Sequence, residues 1–259
     1  MLNAKLLNCF SLTNNKLNIE VCFSPALFEL FDSKESIVVV IDVLRATSSI
    51  CIAFENGVEK IIPVSKVADA LSYKSQGYLV AAERNGETLD GFDFGNSPFS
   101  YMSEKVKGKK IALTTTNGTQ AVHSAKDAHQ VVIGSFLNLD ALCDWLIKQN
   151  RNVICLCAGW KNKFNLEDTL FAGAVVQQLK NSGKFHADCD SSLSSEYLYD
   201  LAKHDLNKFL ENSSHRKRLE RLHIEKDIAF CLTPNQTKVI PILEGDCLVK
   251  QRGNKEIGK

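Results

Sequence analysis

The uninterrupted apolar run Ile37–Ile41 constrains the fold of this 259-residue chain more than any other feature. Its β-branched residues favour a strand, and a strand with no polar residue on either face has to be covered on both sides, as in a parallel sheet. Asp42 follows the run directly, and a helix-like segment begins after Arg45. The sequence therefore places a charged pair at the carboxyl end of a buried strand, where open α/β sheets bind ligands.

Strand-like and helix-like segments alternate through most of the chain. This alternation predicts an α/β fold, with a three-layer α/β/α architecture, a mostly parallel sheet and a helical C-terminal segment. The last predicted strand, 238–243, contains a proline that favours an edge position. We interpret residues 1–259 as a single domain. The strands that we predict besides Ile37–Ile41 are 17–23, 59–64, 78–82, 110–113, 130–134 and 152–157.

Composition and charge narrow the class of protein. The net charge of +1 provides no electrostatic basis for binding nucleic acid or an anionic membrane. Nine cysteines without paired spacing are typical of the cytosol, and the first thirteen residues lack the apolar core of a signal peptide. We therefore expect a cytoplasmic protein, and an edge strand would be compatible with a homodimer.

Polar residues follow several predicted strands directly, and in a parallel sheet such strand ends meet at one crevice. Asp42, Glu83 and the nearby Asp93 could supply carboxylate oxygens to Mg²⁺, which prefers one or two such ligands together with water and phosphate oxygens. Arg45 could hold an anion in its guanidinium fork. The other predicted contacts with a phosphorylated substrate at the strand ends are the loop 114–119 and Ser135.

Two kinds of interpretation remain open for these residues. An Asp after a buried strand can be the nucleophile in phosphoryl transfer, or it can hold the metal while water attacks. Purely structural roles are the alternative, and we assign no role to the six histidines. These structural roles are a cap and ion pair for Asp42 and Arg45, a surface pair for Glu83 and Arg84, a turn for 114–119, first-turn acids for Glu167 and Asp168, and a solvated helix face for 215–218.

Six segments together carry a family resemblance, in order and in spacing. They are Val40–Ser48, Ala82–Arg84, Gly91–Pro98, Leu113–Thr119, Gly134–Asn138, and Cys157–Gly159 with Phe164–Thr169. Through them the chain resembles the 2-phosphosulfolactate phosphatases, Mg²⁺-dependent enzymes associated with sulfolactate and coenzyme M biosynthesis. The resemblance implies hydrolysis of 2-phospho-3-sulfolactate to sulfolactate and phosphate.

The resemblance also implies roles for individual residues. Predicted catalytic residues are Asp42, Arg45, Glu83 and Asp168. Predicted metal ligands are Asp42, Glu83, Asp93 and Glu167. Predicted substrate contacts, in addition to Ser135, are Arg45, Asn96, Thr116, Asn117 and Gly118.

Two segments depart from the family pattern and leave the substrate open. Trp160–Lys163 stands where smaller, Gly- and Glu-containing sequence is expected, and Asn85 stands where glycine is common. Two alternatives therefore accompany the main hypothesis: a phosphatase of another small anionic phosphoester, and a non-catalytic anion-binding protein.

Overall fold

A computed structural model describes residues 16–84 and 87–251 of the chain. The predictions for the amino-terminal stretch and for Asn85 lie outside these residues. The strands are β1 Leu17–Cys22, β2 Ile37–Ile41, β3 Lys60–Pro63, β4 Leu79–Arg84, β5 Glu87–Thr88, β6 Lys110–Thr114, β7 Gln130–Gly134, β8 Val153–Cys157, β9 Phe185–His186, β10 Pro241–Glu244 and β11 Cys247–Lys250.

Helices connect and cover these strands. They are α1 Ala46–Glu55, α2 Val67–Ser72, α3 Gly118–Ser124, α4 Leu139–Gln149, α5 Leu166–Asn181, α6 Asp190–Ala202, α7 Leu206–Phe209, α8 Ser214–Glu220 and α9 Glu225–Cys231. A short 3-10 helix, Pro25–Leu30, follows β1, and the Ser24 hydroxyl that caps it accepts a hydrogen bond from the Ala26 N–H. None of the helices described here is long and apolar enough to cross a bilayer.

The described strands form one mixed sheet in the order β5-β4-β6-β3-β11-β10-β7-β2-β8-β1-β9. Two groups are internally parallel: β4, β6 and β3 form one, and β7, β2, β8, β1 and β9 form the other. The hairpin β10–β11 lies between the groups and pairs antiparallel with both. Because three successive pairings are antiparallel, the two groups run in opposite directions, whereas the sequence pattern alone suggested one common edge.

The predicted edge position of the C-terminal strand is wrong. β10 is an interior strand that pairs with β7 on one side and β11 on the other, and the described sheet ends at β5 and β9. Pro241 is tolerated because it is the first residue of β10, and the register pair with β7 is formed by Ile242 and Val132. The edge on which we based a homodimer is therefore covered.

Burial on both faces of the sheet confirms the three-layer α/β/α architecture and the interpretation of Ile37–Ile41. Val39 packs in one apolar cluster with residues of α4 and α5, such as Leu142 and Phe171. Val40, which points to the opposite face, packs in a second cluster with residues of α1 and α3. All five residues of β2 are buried, which requires the continuous apolar sequence.

Gly173 allows α5 and α6 to approach closely, and this contact generates a prediction about stability. A Cβ added at Gly173 would lie 2.0 Å from the Ser195 carbonyl oxygen of α6. Alanine has the higher helix propensity and would by itself stabilise α5 by about 1 kcal/mol. We expect the steric clash to win, so Gly173→Ala should lower the free energy of unfolding in urea by about 2 kcal/mol. An unchanged or higher value would show that α6 can move away from α5.

Candidate active site

One cavity of about 380 Å³ opens at the carboxyl ends of β2 and β4. Part of the lining comes from residues at or just beyond the ends of strands in both parallel groups. The rest comes from the turn after β8, from α8 and from the residues that follow α8. The lining residues are Asp42, Leu44, Arg45, Glu83, Asn96, Asn117, Trp160, His215, Arg218, Leu219, Arg221 and Leu222.

Asp42 is held in place by the first turn of α1. Its backbone N–H donates to the Thr47 hydroxyl at 3.1 Å, and its carbonyl accepts the Thr47 N–H at 2.9 Å. The Ala46 N–H lies 3.4 Å from Oδ1, while Oδ2 lies against the α-carbon of Gly118, where an added Cβ would come within 2.9 Å of it. Glycine at position 118 therefore lets the start of α3 approach the Asp42 carboxylate.

Glu83 and Asn96 bring the other strand group to the same cavity. Glu83 is buried, and its neighbour Arg84 donates to the Glu83 carbonyl and to the Thr114 hydroxyl at 3.0 Å. This burial argues against the surface-pair interpretation of Glu83 and Arg84. The Asn96 backbone carbonyl accepts a hydrogen bond of 2.6 Å from the Ser49 hydroxyl of α1. This bond anchors the Asn96 backbone to α1, and Asn96 lines the cavity.

Arg45 is buried in an ion pair with Asp227 of α9, at 5% relative exposure. A buried guanidinium needs such a partner because an unpaired buried charge is costly. The pair fixes the orientation of Arg45 from a part of the chain 182 residues away. The Arg45 side chain still lines the cavity, so its fork can be presented to an anion.

Glu167 and Asp168 lie at the start of α5, as predicted, but they are too buried to be ordinary first-turn acids. Glu167 Oε1 accepts the Asn165 amide at 3.1 Å and contacts His215 Nδ1. Asp168 accepts the backbone N–H of Val43 at 2.9 Å with one oxygen and that of Gly159 at 3.1 Å with the other. Asp168 therefore connects two loops and does not line the cavity, and its predicted catalytic role stays a prediction.

The turn Trp160–Lys163 is held rigidly beside the cavity. Trp160 and Lys163 exchange backbone hydrogen bonds of 2.9 and 3.0 Å, and Lys161 and Asn162 have positive φ angles. The Asn117 side-chain oxygen accepts the Lys161 N–H at 3.1 Å. Asn117 thus lines the cavity and also fastens the turn that carries Trp160.

Three further predicted residues do not line the cavity. Asp93 accepts the Val80 N–H at 2.8 Å and lies 3.8 Å from the Lys74 ammonium. Val80 is three residues before Glu83 in β4, or roughly 10 Å along a strand, so Asp93 is not placed to share a metal with Glu83. Ser135 is fully buried in a capping box with Asn138, because it begins the 3-10 helix after β7. Thr116 is half-buried in the turn before Asn117 and is absent from the lining.

The cavity wall formed by α8 was missed in the sequence, where 215–218 was interpreted as a solvated face and His215 was given no role. His215, Arg218, Leu219 and Leu222 line the cavity together. Their spacing of three, four and seven residues is that of one helix face. The two leucines next to this basic cluster, Leu219 and Leu222, were the signal in the sequence that one face of the helix is not exposed to solvent. No comparable signal marked Asp227.

The family assignment follows from comparison with known proteins. The model of the 2-phosphosulpholactate phosphatase family matches residues 22–246, which include every residue of the cavity lining. The chain belongs to this family. The resemblance inferred from the motifs is therefore confirmed.

Three bacterial relatives show how much of the chain the similarity covers. A protein of Caldanaerobacter subterraneus subsp. tengcongensis is 42% identical over 217 residues, which are 82% of this chain and 90% of the relative. One of Thermotoga petrophila is 42% identical over 79% of this chain and 88% of its own length. One of Pseudothermotoga lettingae is 36% identical over 90% and 99% of the two chains. Each is named as a probable 2-phosphosulfolactate phosphatase.

The electrostatics of the cavity raise the proton affinity of Asp42. Burial is the main cause that raises the pKa of its carboxyl from 3.8 to about 6, with Glu83 and Glu167 adding to the effect and His215 opposing it. Burial, then Glu167 and Asp42, also raise the pKa of Asp168 well above its usual range, against the two N–H donors. The charged forms of Asp42 and Asp168 are therefore disfavoured, mainly by burial and further by the neighbouring carboxylates.

The donor chemistry of the cavity fits a hard divalent cation. Glu167 Oε2 and Asn96 Oδ1 are buried oxygens without a hydrogen-bond partner among the described residues. Among the described residues, no group of three or more His, Cys, Asp or Glu side chains is arranged to hold a metal ion by itself. Mg²⁺ does not require one, because water and phosphate oxygens usually complete its coordination. Asp42 and Glu83, the two carboxylates of the lining, therefore fit such an ion, whereas Asp93 lies away from the cavity. Glu167 does not line the cavity, and its role as a metal ligand stays a prediction.

The raised pKa of Asp42 predicts how the stability of the metal-free protein varies with pH. The folded state binds this proton more tightly than the unfolded chain does, so the contribution of Asp42 to stability falls as pH rises from about 4 to about 6. Above that range the penalty is constant at about 3 kcal/mol. We expect Asp42→Asn to stabilise the protein against urea at pH of about 7.5, in EDTA, but to have little effect near pH 4. A stability difference that does not change with pH would contradict this prediction.

Proposed function

We propose that the protein is a Mg²⁺-dependent phosphatase that hydrolyses 2-phospho-3-sulfolactate to 3-sulfolactate and phosphate. The observation that carries the proposal is the gathering of Asp42, Glu83 and Arg45 at one cavity in a member of this family. A simple anion-binding protein gains little from buried carboxylates, which repel an anionic ligand. The product would enter coenzyme M or other sulfonate biosynthesis.

In this proposal the polar side chains of the cavity bind the phosphoryl group. Arg45 presents its guanidinium in an orientation fixed by Asp227, and a fixed fork suits two phosphoryl oxygens. The amides of Asn96 and Asn117 line the same cavity. These neutral donors and one buried cation bind and orient the phosphoryl group.

The carboxylates of Asp42 and Glu83 would hold Mg²⁺, which needs only one or two such ligands besides water and phosphate oxygens. When bound, the ion neutralises negative charge on the phosphoryl oxygens. Asp42 is also positioned to attack phosphorus or to orient a water that attacks, since its carboxylate lines the cavity beside Arg45. His215 buttresses Glu167 from α8 through the contact with Oε1.

A different small anionic phosphoester is the second candidate substrate. The turn Trp160–Lys163 departs from the expected family pattern, and Trp160 forms part of the cavity lining. A large aromatic side chain at this place changes the shape of the cavity without removing the carboxylates. The reaction class would be kept while the preferred acid portion of the substrate differed.

Phosphate release tests the proposal directly. We expect the protein to release phosphate from 2-phospho-3-sulfolactate in the presence of Mg²⁺ and to lose this activity in EDTA. Asp42→Asn and Glu83→Gln should each lower kcat/KM by at least about 100-fold, because each removes a negative oxygen from the reacting centre.

Asp93→Asn is the matched control for these variants. It makes the same change from carboxylate to amide, at an acid that the structure places next to Lys74 instead of the cavity, so kcat/KM should stay within about twofold of wild type. Release that is faster from another phosphoester would favour the second candidate substrate. An absence of release from any ester would leave the anion-binding alternative. Full activity in folded Asp42→Asn and Glu83→Gln would contradict the assigned site.

A further inference from the structure

Arg218 is a cation of the cavity wall that the phosphatase proposal leaves unused. Its guanidinium carbon lies 4.5 Å from the centre of the Trp160 ring, a cation–π distance. Its recorded hydrogen bond is a long one of 3.4 Å to the Ser214 hydroxyl, and none of the salt bridges recorded among the described residues involves it. Arg218 Nε is buried without a hydrogen-bond partner. A half-buried guanidinium with donors available faces a cavity that has room for a ligand.

Trp160 fixes where this guanidinium stands. The centre of the indole ring lies 5.8 Å from the centre of the His215 ring, and the Arg218 guanidinium stacks on the indole face. Its own turn is held by the Trp160–Lys163 hydrogen bonds and by Asn117. The planar guanidinium can keep this stack while its edge binds an anion, which a lysine ammonium cannot do as well.

Three arginines line the cavity, Arg45, Arg218 and Arg221, and the first two have different electrostatic surroundings. Arg45 already has a carboxylate partner in Asp227, and it lies beside Asp42 in sequence and in the cavity. Arg218 comes from α8, on the helix face shared with His215 and Leu219. A substrate with two anionic groups would therefore meet cations from two different segments of the chain.

We propose that Arg218, stacked on Trp160, binds the second anionic group of the substrate, the sulfonate or carboxylate that remains after the phosphoryl group is removed. This inference rests on the proposed function, because it takes the phosphoryl group to lie at Asp42 and Arg45. It makes Arg218 a specificity-determining residue and Trp160 its positioning residue. Esters without a second anion would then gain nothing from Arg218.

Three phosphate monoesters test the proposal: 2-phospho-3-sulfolactate, 2-phospholactate and isopropyl phosphate. We expect Arg218→Met to lower kcat/KM for 2-phospho-3-sulfolactate by about 10- to 100-fold, mainly through KM, as befits a lost charge-assisted hydrogen bond. Isopropyl phosphate, which has no second anion, should be hydrolysed by the variant about as well as by wild type. A loss with 2-phospholactate would assign Arg218 to the carboxylate, and no loss there would assign it to the sulfonate.

Arg216→Met is the matched control, since Arg216 is on the same helix but donates to Asn207 and is absent from the cavity lining. It should leave all three esters unaffected. Trp160→Leu should reproduce part of the Arg218→Met loss, and Trp160→Phe should restore most of it because an aromatic face is kept. If Arg218→Met does not fold, Arg218→Lys replaces it, with a smaller loss confined to the same esters.

Equal losses for all three esters in a folded variant, or no loss, would overturn the proposal. Calorimetric binding of 3-sulfolactate separates this failure from failure of the proposed function, because it requires no hydrolysis. If wild type releases no phosphate but binds 3-sulfolactate, and Arg218→Met does not bind it, the anion subsite stands while the phosphatase assignment fails. If wild type and Arg218→Met bind 3-sulfolactate equally, or neither binds it, the subsite is refuted.

Discussion

The site depends on one buried carboxylate that is not part of the cavity. Asp168 is completely inaccessible to solvent and accepts the Val43 N–H with one oxygen and the Gly159 N–H with the other. Val43 directly follows Asp42, and Gly159 directly precedes Trp160. A single side chain therefore sets the distance between the loop that carries the acid and the turn that carries the aromatic wall. Burial of this polar group is tolerated because both of its oxygens accept hydrogen bonds.

A second constraint is the insertion of the C-terminal hairpin into the sheet. β10 and β11 separate two parallel groups that run in opposite directions, yet Glu83 from one group and Asp42 from the other line the same cavity. The contact between Gly118 and the Asp42 carboxylate shows how closely the two groups approach each other. The site is consequently a junction between two halves of the sheet, and the segments that close it come from the last quarter of the chain.

The charge distribution of the cavity follows from that arrangement. Acids converge at the strand ends, and burial, with a further contribution from Glu83 and Glu167, raises the pKa of Asp42 to about 6. Basic residues join them from two places: Arg45 directly precedes α1 and is paired with Asp227 of α9, and α8 contributes Arg218. An acidic centre with basic residues around it is suited to a cation and a polyanionic ligand bound together.

The local sequence pattern was sufficient to predict the α/β class and the helix that begins at Ala46. It also identified Asp42, Glu83 and Asn117 as residues at strand ends, because an apolar run and the turn after it are encoded by neighbouring residues. It was insufficient for Asp93, whose hydrogen bond to the Val80 N–H forms only in the folded chain. For Ser135 the local capping box with Asn138 competes with a substrate contact, and the sequence pattern did not distinguish them. Contacts between distant segments decide three further features: the role of α8, the pairing of Arg45 with Asp227, and the interior position of β10. The sequence by itself thus determined which residues carry the chemistry of the strand ends. Only the tertiary structure decided which of them share a cavity, because that depends on how the C-terminal segment packs across both halves of the sheet.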